Sequence, residues 1–219
     1  MLIPAHINKK LYSFLIFALT FLLIIFLSLP LVNAKEKPKP QPQDWQINGI
    51  IAALDDSYPG VLTNAFYQVT QYELKNLDQK KAKKIAKKAV NVFKDEKVDP
   101  SFRSRAASAL GNLGDAAKPY LKDIVAILKD EKVDPSVRSR AASALGNLGD
   151  AAKPYLKDIV AILKDEKVDP SVRSRAAVAL GNLGDAAKPY LKDIVAILKD
   201  EKVDPSVRSR AAVALGNLG

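Results

Sequence analysis

From residue 134 onward the apolar positions fall into two alternating patterns. Val137, Ala141, Ala144, Leu145 and Leu148 recur at three- and four-residue intervals, which puts them on one narrow face of a helix. Asp134 supplies an N-cap, Pro135 a first helical residue with no N–H to leave unpaired, and Gly149 a stop. The second pattern, Tyr155, Leu156, Ile159, Val160, Ile162 and Leu163, covers a broader face, with Lys157, Asp158, Lys164 and Asp165 on the wet side. Asp150 is expected to start this second helix, and Pro154 to be tolerated because it falls in the first turn. Residues 165–169 read as the turn that follows.

The whole unit recurs. Residues 99–133, 134–168 and 169–203 are near-identical copies, differing at Phe102 against Val137 and at Ser143 against Val178. Residues 204–219 begin a fourth copy and contain only its first helix. One helix pair cannot bury its apolar faces alone, so copies spaced 35 residues apart must stack. The fold class expected is all-α, an α-solenoid (superhelix) of stacked two-helix repeats. Residues 45–98 read as divergent capping units, with residues 45–56 as the end of a second helix, followed by one first and one second helix. Ala211, Ala214, Leu215 and Leu218 have no second helix after them, so the chain reads as a truncated piece or the leading part of a longer array. A complete array is expected to be monomeric.

The stretch "RSR" recurs in every copy. Arg138 and Arg140 are expected on opposite shoulders of the apolar face, pairing with Asp134, Asp165, Glu166 or Asp169 of their own or adjoining units. That reading makes both arginines inter-repeat mortar and not a phosphate site. The remaining face carries Ser139, Ser143 and Gly146, all small. Gly146 costs about 0.5–1 kcal/mol in a helix relative to Ala, so something passes close by: a neighbouring helix, or a partner in a smooth inner groove. For the second case the expected partner face is Ser139, Ser143 and Asn147, with Ser174, Val178 and Asn182 one copy later.

The first 34 residues have another character. Lys9 and Lys10 precede an apolar run over residues 11–29, followed by Pro30 and the triplet Val32-Asn33-Ala34. That order matches a secretory signal peptide, cleaved so that the mature chain starts near Lys35. A run of about 19 residues also nearly spans a bilayer, so an uncleaved anchor is the alternative and the only membrane contact foreseen. The protein is therefore expected outside the cytoplasm, secreted, periplasmic or tethered. Residues 35–44, with Pro38, Pro40 and Pro42, read as an extended linker, or alternatively as a ligand for a proline-binding domain.

Composition removes several chemistries. The chain has no Cys, and its single His, His6, lies in the N-terminal segment. No disulfide, thiolate site or imidazole catalysis is available to the repeats, and no metal or cofactor is expected. The net charge of +10 raises the question of nucleic acid, but each full copy holds six basic and five acidic residues, interleaved. The one basic cluster is Lys80, Lys81, Lys83, Lys84, Lys87 and Lys88. It reads as the solvated face of a cap, or as a polyanion contact through Lys80, Lys81, Lys84, Lys87 and Lys88. No aromatic side chains interleave with the lysines, so a nucleic-acid stacking platform is not expected. No nucleophile has a base nearby, and no glycine-rich phosphate loop follows a strand.

"DPSVRSRAASALGNLGD" with "KPYLKDIVAILKD" resembles the HEAT repeat family, specifically the bacterial HEAT-like branch that includes phycobilin-lyase subunits. The resemblance spans residues 45–219. It implies a ladder in which a helix Arg (Arg103, Arg138, Arg173, Arg208) meets a turn Asp (Asp130, Asp165, Asp200). It implies nothing firm about activity. The function expected first is a non-catalytic scaffold for protein partners. A subunit acting on tetrapyrrole-bearing proteins as a lyase or chaperone is the second reading, and surface association through the lysine-rich cap the third.

Overall fold

The computed structural model of the chain describes residues 38–74 and 76–219; the apolar run 11–29 and the candidate cleavage site lie outside them. Among the described residues every regular element is helical. In chain order these are α1 (Asp44–Ala53), α2 (Pro59–Gln71), α3 (Gln79–Lys94), α4 (Pro100–Asn112) and α5 (Leu121–Lys129). They continue as α6 (Pro135–Asn147), α7 (Leu156–Lys164), α8 (Pro170–Asn182), α9 (Leu191–Lys199) and α10 (Pro205–Leu218).

The first helix of each copy starts as its sequence foretells. Asp134 Oδ1 accepts the Ser136 N–H at 2.8 Å and the Ser136 hydroxyl at 2.6 Å, and Asp169 and Asp204 do the same with Ser171 and Ser206. These serine bonds are the main reason that the Asp134 and Asp204 carboxyls sit below the ordinary carboxylate range. At the other end of α6, Gly149 takes φ +55°, a left-handed turn that a Cβ would strain.

The second helix departs from expectation. Residues Gly149–Tyr155 wind as a 3₁₀ segment with Pro154 inside it, and the α-helix proper begins only at Leu156. Pro154 has no N–H to give and its ring would meet the carbonyl four residues back, so α-winding waits until the proline is past. Leu156, Ile159, Val160, Ile162 and Leu163 are then buried as the periodicity requires. Burying each such side chain is worth about 1.5–3 kcal/mol. Val137, Ala141 and Leu145 of α6 are fully enclosed too, and each second helix packs on the first helix of the following copy, α5 on α6 and α7 on α8.

Helices α2, α4, α6, α8 and α10 form one layer, each packed along its length on the next. Helices α3, α5, α7 and α9 form the other layer, in which neighbours barely touch. The stack therefore curves with the first helices inside. α1 packs on α2 and α3, standing where a second helix would.

What lets the first helices approach so closely is Gly146 and its counterparts. A Cβ added at Gly146 would lie 2.7 Å from Ala179 Cα, and Gly111 and Gly181 face Ala144 and Ala214 in the same way at 2.9 Å. The neighbouring helix, and not a ligand, occupies the space that the missing side chains leave. The outer layer is tied differently. Lys94, Lys129 and Lys164 pair with Asp123, Asp158 and Asp193 of the following second helix at 2.5–2.6 Å. Inter-repeat ion pairing thus exists, but on residues that the sequence pattern leaves on the wet side. Each pair is half-exposed and contributes at most about 1 kcal/mol.

The end of the proline-rich segment is attached to the stack. Pro40 O accepts the Glu73 N–H at 3.0 Å, and Lys39 Nζ donates to Asn112 Oδ1 at 2.8 Å.

One pair of substitutions tests the glycine seam. Gly146→Ala should lower stability by about 1–3 kcal/mol, as overpacking against backbone does, although Gly→Ala in a free helix gains about 0.5–1 kcal/mol. Gly216→Ala, where nothing lies within 4 Å, should be neutral or stabilising. Urea midpoints of the two variants would show it; losses of equal size would mean that helix approach is not the cause.

Candidate binding face

The two arginines of each "RSR" have opposite fates. Arg138 is only 5% exposed, and its Nε donates to Leu128 O, a carbonyl at the end of the preceding second helix, at 3.0 Å. Arg103 does the same with Phe93 O and Arg173 with Leu163 O. Helix ends leave carbonyls without an intrahelical partner, and these guanidinium groups take one each. Arg208 is half-buried and reaches Val203 O at 3.1 Å instead. On its far side, Arg103 helps to lower the Asp134 carboxyl of the next copy, after the larger effect of Ser136, and Arg173 acts likewise on Asp204. Arg103 and Arg173 thus each join the unit before them to the copy after them.

The expected Arg–Asp ladder is therefore built differently. Asp130, Asp165 and Asp200 are engaged in their own turns, where Oδ1 accepts the N–H of Lys132, Lys167 and Lys202 at 2.9 Å. The arginines bond to main chain, and the carboxyl that Arg103 helps to lower is the N-cap Asp134, not a turn Asp.

The second arginine is not mortar. Arg105, Arg140 and Arg210 are exposed and Arg175 half-buried, on the inner side of the stack. Among the described residues none of the four lies within ion-pair distance of a carboxylate. Arg140 and Arg210 lie near enough to act on Arg175, which is pulled below the usual guanidinium range by partial burial first, then by those two. Toward the N-terminal end of this face, beside Arg105 and Arg140, lies a groove of about 580 Å³, lined by Tyr67, Ser108, Ser143 and Asn147 among others.

The expected partner face is split by this geometry. Ser143 and Val178 are half-buried and Asn147 and Asn182 exposed, beside the arginines. Ser139 and Ser174 are 9% exposed and sealed between successive first helices; Ser174 Oγ lies 3.2 Å from Ser206 Oγ. Those two cannot meet a partner. The arginine row was legible all the same: Arg140, Ser143 and Asn147 stand at i, i+3 and i+7, one helical side.

The lysine-rich cap is partly neutralised from within. Lys81 pairs with Asp44 at 2.8 Å, and Lys84 and Lys88 with Asp55 at 3.4 and 2.5 Å, which pins α3 to α1. Lys80 and Lys87 point to solvent. No group of three or more potential metal ligands converges among the described residues.

The contrast between the arginines is measurable as stability. Arg138→Ala should cost about 1.5–3 kcal/mol, the range for a hydrogen bond from a charged group. Arg140→Ala should stay within about 0.5 kcal/mol of the parent, as at other surface sites. Urea titrations monitored by circular dichroism decide it, and a comparable loss in both variants would contradict the division of roles.

Comparison with known proteins agrees with the architecture. The HEAT repeats family matches residues 88–166 and the PBS lyase HEAT-like repeat family matches residues 172–200. No curated protein matches the chain. Among solved structures, an engineered protein from the Northeast Structural Genomics Consortium is 22% identical over 80% of this chain and 81% of its own, with a TM-score of 0.54. Human deoxyhypusine hydroxylase in complex with glycerol is 18% identical over 80% of this chain and 96% of its own, but superposes poorly, with a TM-score of 0.30. The helix pairs from α3 onward, the glycine seam between them and the two matches agree in identifying the repeats of residues 88–200 as HEAT repeats.

Proposed function

We propose that the stack is a scaffold that binds other proteins along its inner face and catalyses no reaction. The observation that carries this reading is the division of labour between the layers. Ion pairs run between neighbours in the outer layer, whereas the inner layer offers Arg140, Ser143 and Asn147 to solvent once per copy. No copy is singled out by a distinctive residue set, which suits additive binding better than one reaction centre. A partner must engage several copies, so affinity should rise with copy number.

Affinity capture with the full chain tests this. Asn147→Trp with Ser143→Tyr, which fill the inner groove, should abolish retention of the captured partner. Lys122→Glu with Lys157→Glu, on exposed outer positions, should not. Retention that survives inner-face filling, or that ignores an added copy of residues 169–203, would move the site to the lysine-rich cap.

The match to the PBS lyase HEAT-like repeat over residues 172–200 supports a second reading, action on tetrapyrrole-bearing proteins. Covalent transfer of a bilin to an acceptor, seen by absorbance, would place it first.

The N-terminal segment supports an extracytoplasmic location, by release near Ala34 or by retention on residues 11–29. N-terminal sequencing of protein from its native host should give a start at or near Lys35. An intact Met1 in a membrane fraction would favour the anchor.

A further inference from the structure

We infer that the row Arg105–Arg140–Arg175–Arg210 is a recognition track for an extended acidic polypeptide segment with a carboxylate at every third residue. The inference rests on the scaffold reading and names the partner's chemistry.

Four observations lead to it. The row has one cation per copy on the concave side, exposed or half-exposed, with no carboxylate at ion-pair distance among the described residues. A row of like charges repels along its length and forms no ion pair within the stack, and Arg175 already feels both neighbours. The groove beside its first two members, Arg105 and Arg140, is lined by short neutral side chains, Ser108, Ser143 and Asn147, which permit close approach and can hydrogen-bond a main chain; Val178 and Asn182 take the same helical positions beside Arg175. Its spacing is set by the glycine seam, where the helices touch at backbone level.

That spacing selects the ligand. Packed helices lie about 8–10 Å apart, and the Gly–Ala contacts keep these within that range. A polyproline-type chain rises about 3.1 Å per residue with three residues per turn, so every third side chain points the same way at about 9 Å intervals. Carboxylates at positions i, i+3, i+6 and i+9 of such a chain fall in step with four arginines. Guanidinium and carboxylate match as planar, two-pronged partners. Single-stranded nucleic acid fits less well. Each arginine stands alone in its copy, and aromatic side chains for base stacking do not recur along the row, Tyr67 lying only at one end.

The test is fluorescence anisotropy of the full chain with a labelled peptide of four Glu-Pro-Pro units. Binding should be saturable and should weaken steeply with salt. Each single Arg→Gln in the row should weaken it about threefold, the scale of an exposed ion pair, and the four together roughly eightyfold if independent. A peptide of the same composition with its four glutamates contiguous should bind at least tenfold more weakly. Equal binding of the contiguous peptide, or unchanged affinity in the quadruple variant, would overturn the proposal. Tighter binding of a labelled oligodeoxythymidine, lost in the same variant, would overturn it in favour of nucleic acid. A captured partner released by Asn147→Trp but indifferent to the four Gln substitutions would leave the scaffold standing and overturn the acidic track alone.

Discussion

The close approach of successive first helices is the constraint on which the rest of the structure depends. A methyl group at Gly146 would collide with the backbone at Ala179, so a side chain in that seam pushes two repeats apart. Because only the first helices have this seam, the inner layer is drawn together while the outer layer remains splayed. Curvature follows from that asymmetry, and so does a concave side.

The same approach sorts the polar residues. With neighbours this near, the flanks of each first helix are no longer surface. Arg138, on one flank, is buried and must find a partner; the terminal carbonyl of the preceding second helix is there to accept. Arg140, at the inner edge, stays wet and faces its own equivalents along the stack. Two arginines separated by one serine thus become an internal clamp and an external row. The outer layer, where neighbouring helices touch at few points, is bridged by Lys–Asp pairs.

Much of this was readable from the residues themselves. The period, the Asp-Pro starts, the glycine stops and the apolar faces all follow from helical geometry and cap chemistry. Pro154 misled only in degree: it shortens the second α-helix to Leu156–Lys164 by forcing a 3₁₀ turn ahead of it. The partners of polar groups were less legible, because they depend on distances between copies. Nothing within one repeat shows that Arg138 will meet a carbonyl in place of Asp165, or that Asp165 is consumed by its own turn. Ser139 looks like Ser143 on paper, and only the seam decides that one is sealed and the other half-open. Arg140 was hidden by its proximity to Arg138 in sequence, although its helical side is that of Asn147.

The first helices are held closer than the second helices, which leaves a concave arginine face. The chain has no cysteine, so pairs of introduced cysteines can carry spin labels without interference. Electron–electron double resonance should compare labels at Arg140 and Arg210, two inner helices apart, with labels at Lys122 and Lys192, two outer helices apart. The inner separation should be distinctly the shorter, near the roughly 16–20 Å of two helix spacings. Equal separations, or a shorter outer one, would contradict it.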